Sequence, residues 1–465
     1  MKRLALLSAL CIAGCGGFLG NGDDTTPEAG KDPNIVVLEG AVGNDYVPAE
    51  QPGEVIARVR IGTNPVARGK RPAINLALVI DTSGSMEGDA IDHARTAALA
   101  IVDELERGDQ LSVVVFHSVT EVLLPSTKLT SSNRDEVKAS IARMKAHGTT
   151  DMAGGLTNAI QQAYAGRRDD GVNRIVLLSD GIPNDETQIL QLAQNARNSG
   201  LAITALGLGL DYNETLLASV AQTSGGKFHY IDDSRKVAKV FRNEVLRLER
   251  VVARNATVTF VPGPGVTIDE VVGQQAQPLG VNRSMLVHLG DISEGDSREL
   301  VLRLQATGGR PGATVELMDA VLRFQDTVAD AGALERRVYL SVRSADDPQM
   351  IESAHNVDVE RSLERARAAA AMVQAIAMAR AGQIEQGQQL LDKAESAARE
   401  SAKRFEDDET LTGHADSMVE LRGALPALAA QPPPALTPDD VRAAEAAPSV
   451  IRESHDSAVR TLQGD

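Results

Sequence analysis

The chain has 465 residues, more than one ordinary domain holds, so about two to four domains are expected. Hydrophobic residues make up 43 % but aromatics only 3 %, with no Trp, so any core must be built from Ala, Leu, Val and Ile. A net charge of −17 excludes a nucleic-acid binder of the usual kind, which replaces phosphate counterions with clustered Lys and Arg.

At the N-terminus, Lys2 and Arg3 precede the apolar stretch Leu4 to Ile12, which ends in small residues, the pattern of a secretory signal over residues 1–14. The quartet Ile12-Ala13-Gly14-Cys15 resembles a bacterial lipobox, which implies that Cys15 carries the lipid, that Cys11 is removed, and that the mature chain has no internal disulfide. Several acyl chains anchor a protein firmly. Gly16, rather than Asp, after Cys15 implies an outer-membrane destination by the same resemblance. Residues 15–34, rich in Gly, Asp, Thr and Pro, are expected to be a flexible tether. No later segment reaches the roughly 18 apolar residues of a membrane span.

From residue 35 the pattern is strand-like, ending in the alternation Glu54 to Ile61, which buries one face and needs partners. Strands of similar character recur only at 256–261, 284–289, 299–304, 314–324 and 336–342. The expectation is therefore one antiparallel β-domain made of residues 35–71 and 250–345, with residues 72–249 inserted. The insert alternates strands (74–80, 111–116, 174–179, 201–207, 227–231) with helices (about 87–107, 133–145, 152–166, 186–199, 212–222, 233–248) as a doubly wound α/β sheet does. Residues 346–405 read as a helical hairpin broken at Ala381-Gly382, an appendage packed on the β-domain rather than a peptide-binding repeat array. Residues 406–465 are acidic, then Pro-rich at Gln431 to Pro434, then helix-like over a short end, and are expected to be partly disordered.

Asp81, Ser83 and Ser85 lie two apart on the turn that ends the apolar run Ile74 to Ile80. Ligands gather at the carboxyl ends of such strands, and three oxygens there suit Mg²⁺ or Ca²⁺. As a turn alone, the same residues would also serve as helix caps. A second segment, Gly148 to Leu156, contains Thr149 and Thr150; a third, Arg174 to Gly181, ends an apolar strand at Asp180. Together these resemble a von Willebrand factor type A (VWA) domain and its metal-ion-dependent adhesion site (MIDAS), built from D-x-S-x-S, a Thr and a second Asp. The resemblance implies that Asp81, Ser83, Ser85, Thr150 and Asp180 hold Mg²⁺, or Mn²⁺ or Ca²⁺, with Thr149 the alternative to Thr150. It further implies direct ligation by the three hydroxyls, with the carboxylates holding waters. The ion then stays electrophilic, and an Asp or Glu of a protein partner completes its shell.

Asp151 is expected to cap a helix, Asp185 and Asp211 to serve loops or caps, and His93, His117, His147 and His229 show no metal-ligand spacing. An enzyme is not expected. Ser83 and Ser85 lack the G-x-S-x-G elbow, and Ser83 stands where a D-x-D phosphatase has its second carboxylate. The sequence thus suggests a lipid-anchored envelope protein that binds another protein through a metal. An envelope scaffold whose metal serves stability is the alternative, and a metal-dependent hydrolase a more distant one.

Overall fold

The computed structural model describes residues 32, 34–66, 71–183, 186–209, 212–280, 283–428 and 438–464. The expected signal segment, Cys15, nearly all of the tether, Asp185, Asp211 and the run Pro432 to Pro434 lie outside the described residues.

The chain begins with β1 (Val36–Val42), β2 (Tyr46–Pro48) and β3 (Pro52–Thr63). The insert follows as β4 (Ile74–Asp81), α1 (Asp89–Glu104), β5 (Gln110–Phe116), β6 (Thr120–Lys128), α2 (Arg134–Ile141), α3 (Met152–Ala165) and β7 (Val172–Ser179). It continues with α4 (Glu186–Asn198), β8 (Ala202–Leu208), α5 (Glu214–Ser224), β9 (Phe228–Ile231) and α6 (Val237–Leu248). Seven more strands complete the β-domain: β10 (Val251–Pro262), β11 (Thr267–Val271), β12 (Gln277–Leu279), β13 (Ser284–Ser293), β14 (Arg298–Thr307), β15 (Thr314–Asp326) and β16 (Ala333–Ala345). Helices α7 (Pro348–Ser353), α8 (Val357–Arg380), α9 (Ile384–Arg404), α10 (Glu409–Ala424) and α11 (Pro438–Gln463) end it.

The alternation in β3 has the consequence expected of it. Val55, Ala57, Val59 and Ile61 face one core, and β3 pairs antiparallel with β1 on one side and with β14, some 240 residues later, on the other. The β-domain has two sheets, ordered β1-β3-β14-β11 and β12-β13-β10-β15-β16-β2, sharing that core with Phe260, Leu302 and Leu322. Every pairing is antiparallel except the short β16–β2 contact.

The inserted sheet runs β6-β5-β4-β7-β8-β9 and is parallel except for β6. Its central strand is buried on both faces, as a continuous apolar run requires. Leu76, Leu78 and Ile80 pack with α1 and α6, whereas Ala77 and Val79 pack with α3, α4 and α5. The chain leaves β4 toward β5 and later returns to its other side as β7. The carboxyl end of β4 is therefore a topological switch point, where neighbouring crossovers diverge and leave a crevice. Strand β6 went unrecognised in the sequence because Pro125 interrupts it, and Pro is tolerated only on an edge, which is where β6 lies.

The C-terminal region is more helical than the sequence suggested. The hairpin of α8 and α9 is present, but residues 409–424 and 438–463 form two further helices, and all four share one core. Leu411, Ala415, Met418 and Leu421 of α10 lie three or four apart and are buried, a helical stripe that the acidic composition obscured. Helix α8 buries residues well beyond one stripe because it touches the other helices, the β-domain at Val301 and Ile56, and the inserted domain at Glu214. Among the described residues no helix is long and apolar enough to cross a membrane.

Candidate metal centre

Three loops at the end of β4 are held together by backbone bonds. Thr82 N donates to Phe116 O (2.8 Å), His147 N to Thr82 O (2.8 Å), Gly84 N to Gly148 O (2.9 Å) and Asp151 N to His117 O (2.8 Å). Residues 84–86 form one 3₁₀ turn, anchored by the buried Met86. Gly148 is left-handed (φ 79°), and a Cβ there would lie 2.4 Å from Ser118 Oγ, so only glycine fits this junction.

The side chains converge on this frame. Ser83 Oγ lies 3.0 Å from Ser85 Oγ, and Ser85 Oγ donates to Asp180 Oδ1 at 2.8 Å. Asp81 accepts from Ser83 N at 2.9 Å through Oδ1 and from Ser179 Oγ at 2.7 Å through Oδ2. Thr150 joins through Gly181: a Cβ there would stand 3.0 Å from Thr150 Oγ1 and 3.5 Å from Asp81 Oδ2, so the bare glycine keeps the space between them open. Thr149 turns away, its N and Oγ1 both donating to Ser118 Oγ at 2.9 and 3.2 Å. Asp81, Ser83 and Asp180 are buried, at 0, 2 and 9 % exposure, whereas Ser85 is open to solvent. Burial raises the Asp81 carboxyl above its ordinary value, against the lowering pull of the Ser83 and Ser179 hydrogen bonds.

The other singled-out residues fall elsewhere. Asp151 caps α3, its Oδ1 accepting from Gly154 N at 3.0 Å. His93 bonds Ser234, and His229 Nε2 meets Glu244 at 3.0 Å. His117 and His147 pack with ring centroids 3.8 Å apart, tilted at 44°, beside the site. Among the described residues no group of three or more His, Cys, Asp or Glu side chains is placed to hold a metal. Hydroxyls with two carboxylates are the candidate set, and hard oxygen donors of this kind fit Mg²⁺, Mn²⁺ or Ca²⁺ better than thiophilic ions. Two contributors escaped the sequence reading: Ser179, which orients Asp81, and Ser118, which holds Thr149 aside. Ser179 was visible as the one polar residue between the apolar run Ile175 to Leu178 and Asp180.

A mostly parallel sheet with helices on both faces and an oxygen-lined crevice at its switch point defines a doubly wound α/β domain. Residues 75–243 match the family model described as the von Willebrand factor type A domain, and the chain carries that domain. It is 30 % identical over 279 residues to an uncharacterised protein of Synechocystis, covering 58 % of this chain and 66 % of that one. To the uncharacterised protein YfbK of Escherichia coli it is 32 % identical over 247 residues, covering 51 % of this chain and 42 % of the relative. The chain therefore spans under two thirds of the length of these curated relatives. A solved structure described as a von Willebrand factor type A protein from Catenulispora acidiphila superimposes with a TM-score of 0.68 at 18 % identity, over 88 % of this chain and 92 % of that one. That likeness extends the shared fold beyond the VWA domain to the β-domain and helices. VWA domains commonly mediate protein–protein interaction, and they often bind a divalent metal.

Proposed function

We propose that this chain captures a protein partner through a divalent cation, Mg²⁺ foremost, held by Asp81, Ser83, Ser85, Thr150 and Asp180. The observation that carries this reading is the convergence of Ser83 and Asp180 oxygens on Ser85 Oγ, at 3.0 and 2.8 Å, at the sheet's switch point, with Asp81 and Thr150 beside them. A cation bound there supplies an electrophilic centre with a position left for a partner's Asp or Glu. The three hydroxyls offer neutral oxygens, and Asp81, fixed by Ser83 N and Ser179, is oriented without needing to move. Such preorganisation reduces the ordering cost of binding. Ser83 and Ser85 lie outside a G-x-S-x-G elbow, and the reading is a binding module rather than an enzyme.

The scaffold alternative, in which the metal serves stability, is disfavoured because backbone bonds between residues 82–84 and 147–148 and between 117 and 151 already tie the loops together. We further propose that Cys15 bears a lipid that places the domain on the cell envelope, at the outer membrane. The test is a pull-down from envelope extract. Partners held by the wild-type chain should be released by chelator and missed by Asp81→Ala, while Cys15→Ser should no longer sediment with membranes. Capture that persists in chelator contradicts the metal reading, and continued sedimentation of Cys15→Ser contradicts the anchor.

A further inference from the structure

The oxygens of Asp81, Ser83 and Asp180 are recessed, but the loop that carries Asp180 and the neighbouring β5–β6 loop each present a large apolar side chain to solvent. Val119 is 61 % exposed and Ile182 57 %. Single exposed hydrophobics are ordinary. The placement of this pair is not, because the strand order sets Asp81 at the end of β4, Val119 beyond β5 on one side, and Ile182 beyond β7 on the other. Val119 is held in place. His117 N donates to Val119 O (3.1 Å) and Val119 N donates to His117 Nδ1 (3.3 Å), while the intervening Ser118 grips Thr149. Ile182 sits between Gly181, at the site, and the buried Pro183.

We infer that Val119 and Ile182 form an apolar rim around the metal centre, and that the partner is a protein segment whose Asp or Glu is flanked by aliphatic or aromatic side chains. This rests on the metal reading above. The argument is complementarity. On a chain of net charge −17, a cation is the feature that attracts an acid, and a bare acidic peptide would gain little beyond that one bond. Apolar flanks seated on Val119 and Ile182 would exclude water from the carboxylate and the Ser85 edge. Contacts at a rim strengthen a central polar anchor in this way, by lowering the local dielectric.

The test is a fully randomised peptide display library panned on the whole protein in Mg²⁺ and eluted with EDTA. The expected pool is rich in Asp or Glu with apolar residues within a position or two. Its peptides should bind the Val119→Ser/Ile182→Ser double variant roughly tenfold more weakly, for the lost burial of two partly exposed side chains. Mg²⁺ titration of that variant should match the wild type, because neither side chain supplies an oxygen. An acid-rich pool with random flanks, or peptides that bind both proteins equally, overturns the rim alone. A pool with no acidic enrichment overturns the metal reading and the rim with it.

Discussion

Asp81 is a buried carboxylate with two hydrogen-bond donors, and Ser179 supplies the side-chain one. Ser179→Ala removes that donor and leaves Oδ2 facing Gly181 and Thr150. A buried group deprived of a partner costs about 1–3 kcal/mol, so urea denaturation without metal should show a loss of that size; an unchanged midpoint would mean the bond is not made in solution. At this scale the candidate residues could be named from sequence, because D-x-S-x-S and Asp180 are local patterns at predicted strand ends and Thr150 lies in a Gly-containing loop. What escaped were the residues that aim them. The roles of Ser179 and Ser118 depend on which loop faces which across the sheet, and no single segment encodes that.

Helix α11 was anticipated only as a short helix-like end, yet it is wired into the VWA domain. Asp456 Oδ1 accepts from Tyr230 N of edge strand β9 at 3.2 Å, and Arg452 Nη2 donates to Tyr212 O at 2.9 Å. Glu214, at the start of α5, is wholly buried between Arg380 of α8, whose Nε donates to it at 2.8 Å, and Arg452 of α11 at 3.6 Å. Burial would raise this carboxyl, but Arg380 foremost outweighs it and holds the group below its usual range. His455 follows on the same helix, fully buried against the edge of Phe228, with no hydrogen-bond partner for either ring nitrogen among the described residues. Burial, aided by Arg380 and Arg452 and opposed by Glu214, pushes its pKa down to about 4 from 6.5. The unfolded chain therefore binds the extra proton first. The stability associated with neutral His455 is intact above the unfolded value of 6.5 and is lost as pH falls from there through about 4. By pH 5 the loss is about 2 kcal/mol. Urea denaturation between pH 7.5 and 5 should show a shallower pH dependence for His455→Leu than for the wild type; identical slopes would contradict a buried neutral imidazole. His288, lowered to about 4 by burial and Arg197, shifts in the same direction in both proteins, so the comparison isolates His455.

Across the whole molecule, the fold follows from one discontinuity. A half-buried β3 needs a partner and finds β14 only after the complete VWA domain has intervened. The partner strands were legible from their alternation, and so was the insertion. The closure of β16 onto β2 and the return of α11 were not, because each depends on surfaces that exist only once the other parts have folded. The inserted domain is fastened to its host by the buried pair Arg174 and Asp291 at 2.8 Å and by Arg254 donating to Gly171 O at 2.6 Å. It is fastened to the helices through Glu214, and Asn213 Nδ2 in turn donates to Glu186 at 2.6 Å at the start of α4, the helix that follows the Asp180 loop. The crevice is thus held on a frame braced from two sides, with its oxygens at the one end of the sheet where crossovers part. The central claim is that those oxygens bind a cation. Calorimetric titration of Mg²⁺ into the wild-type chain and into Ser83→Ala/Ser85→Ala tests it most directly. One ion bound per wild-type chain and none by the variant is the result expected; no binding by the wild type, or equal binding by both, would contradict the account.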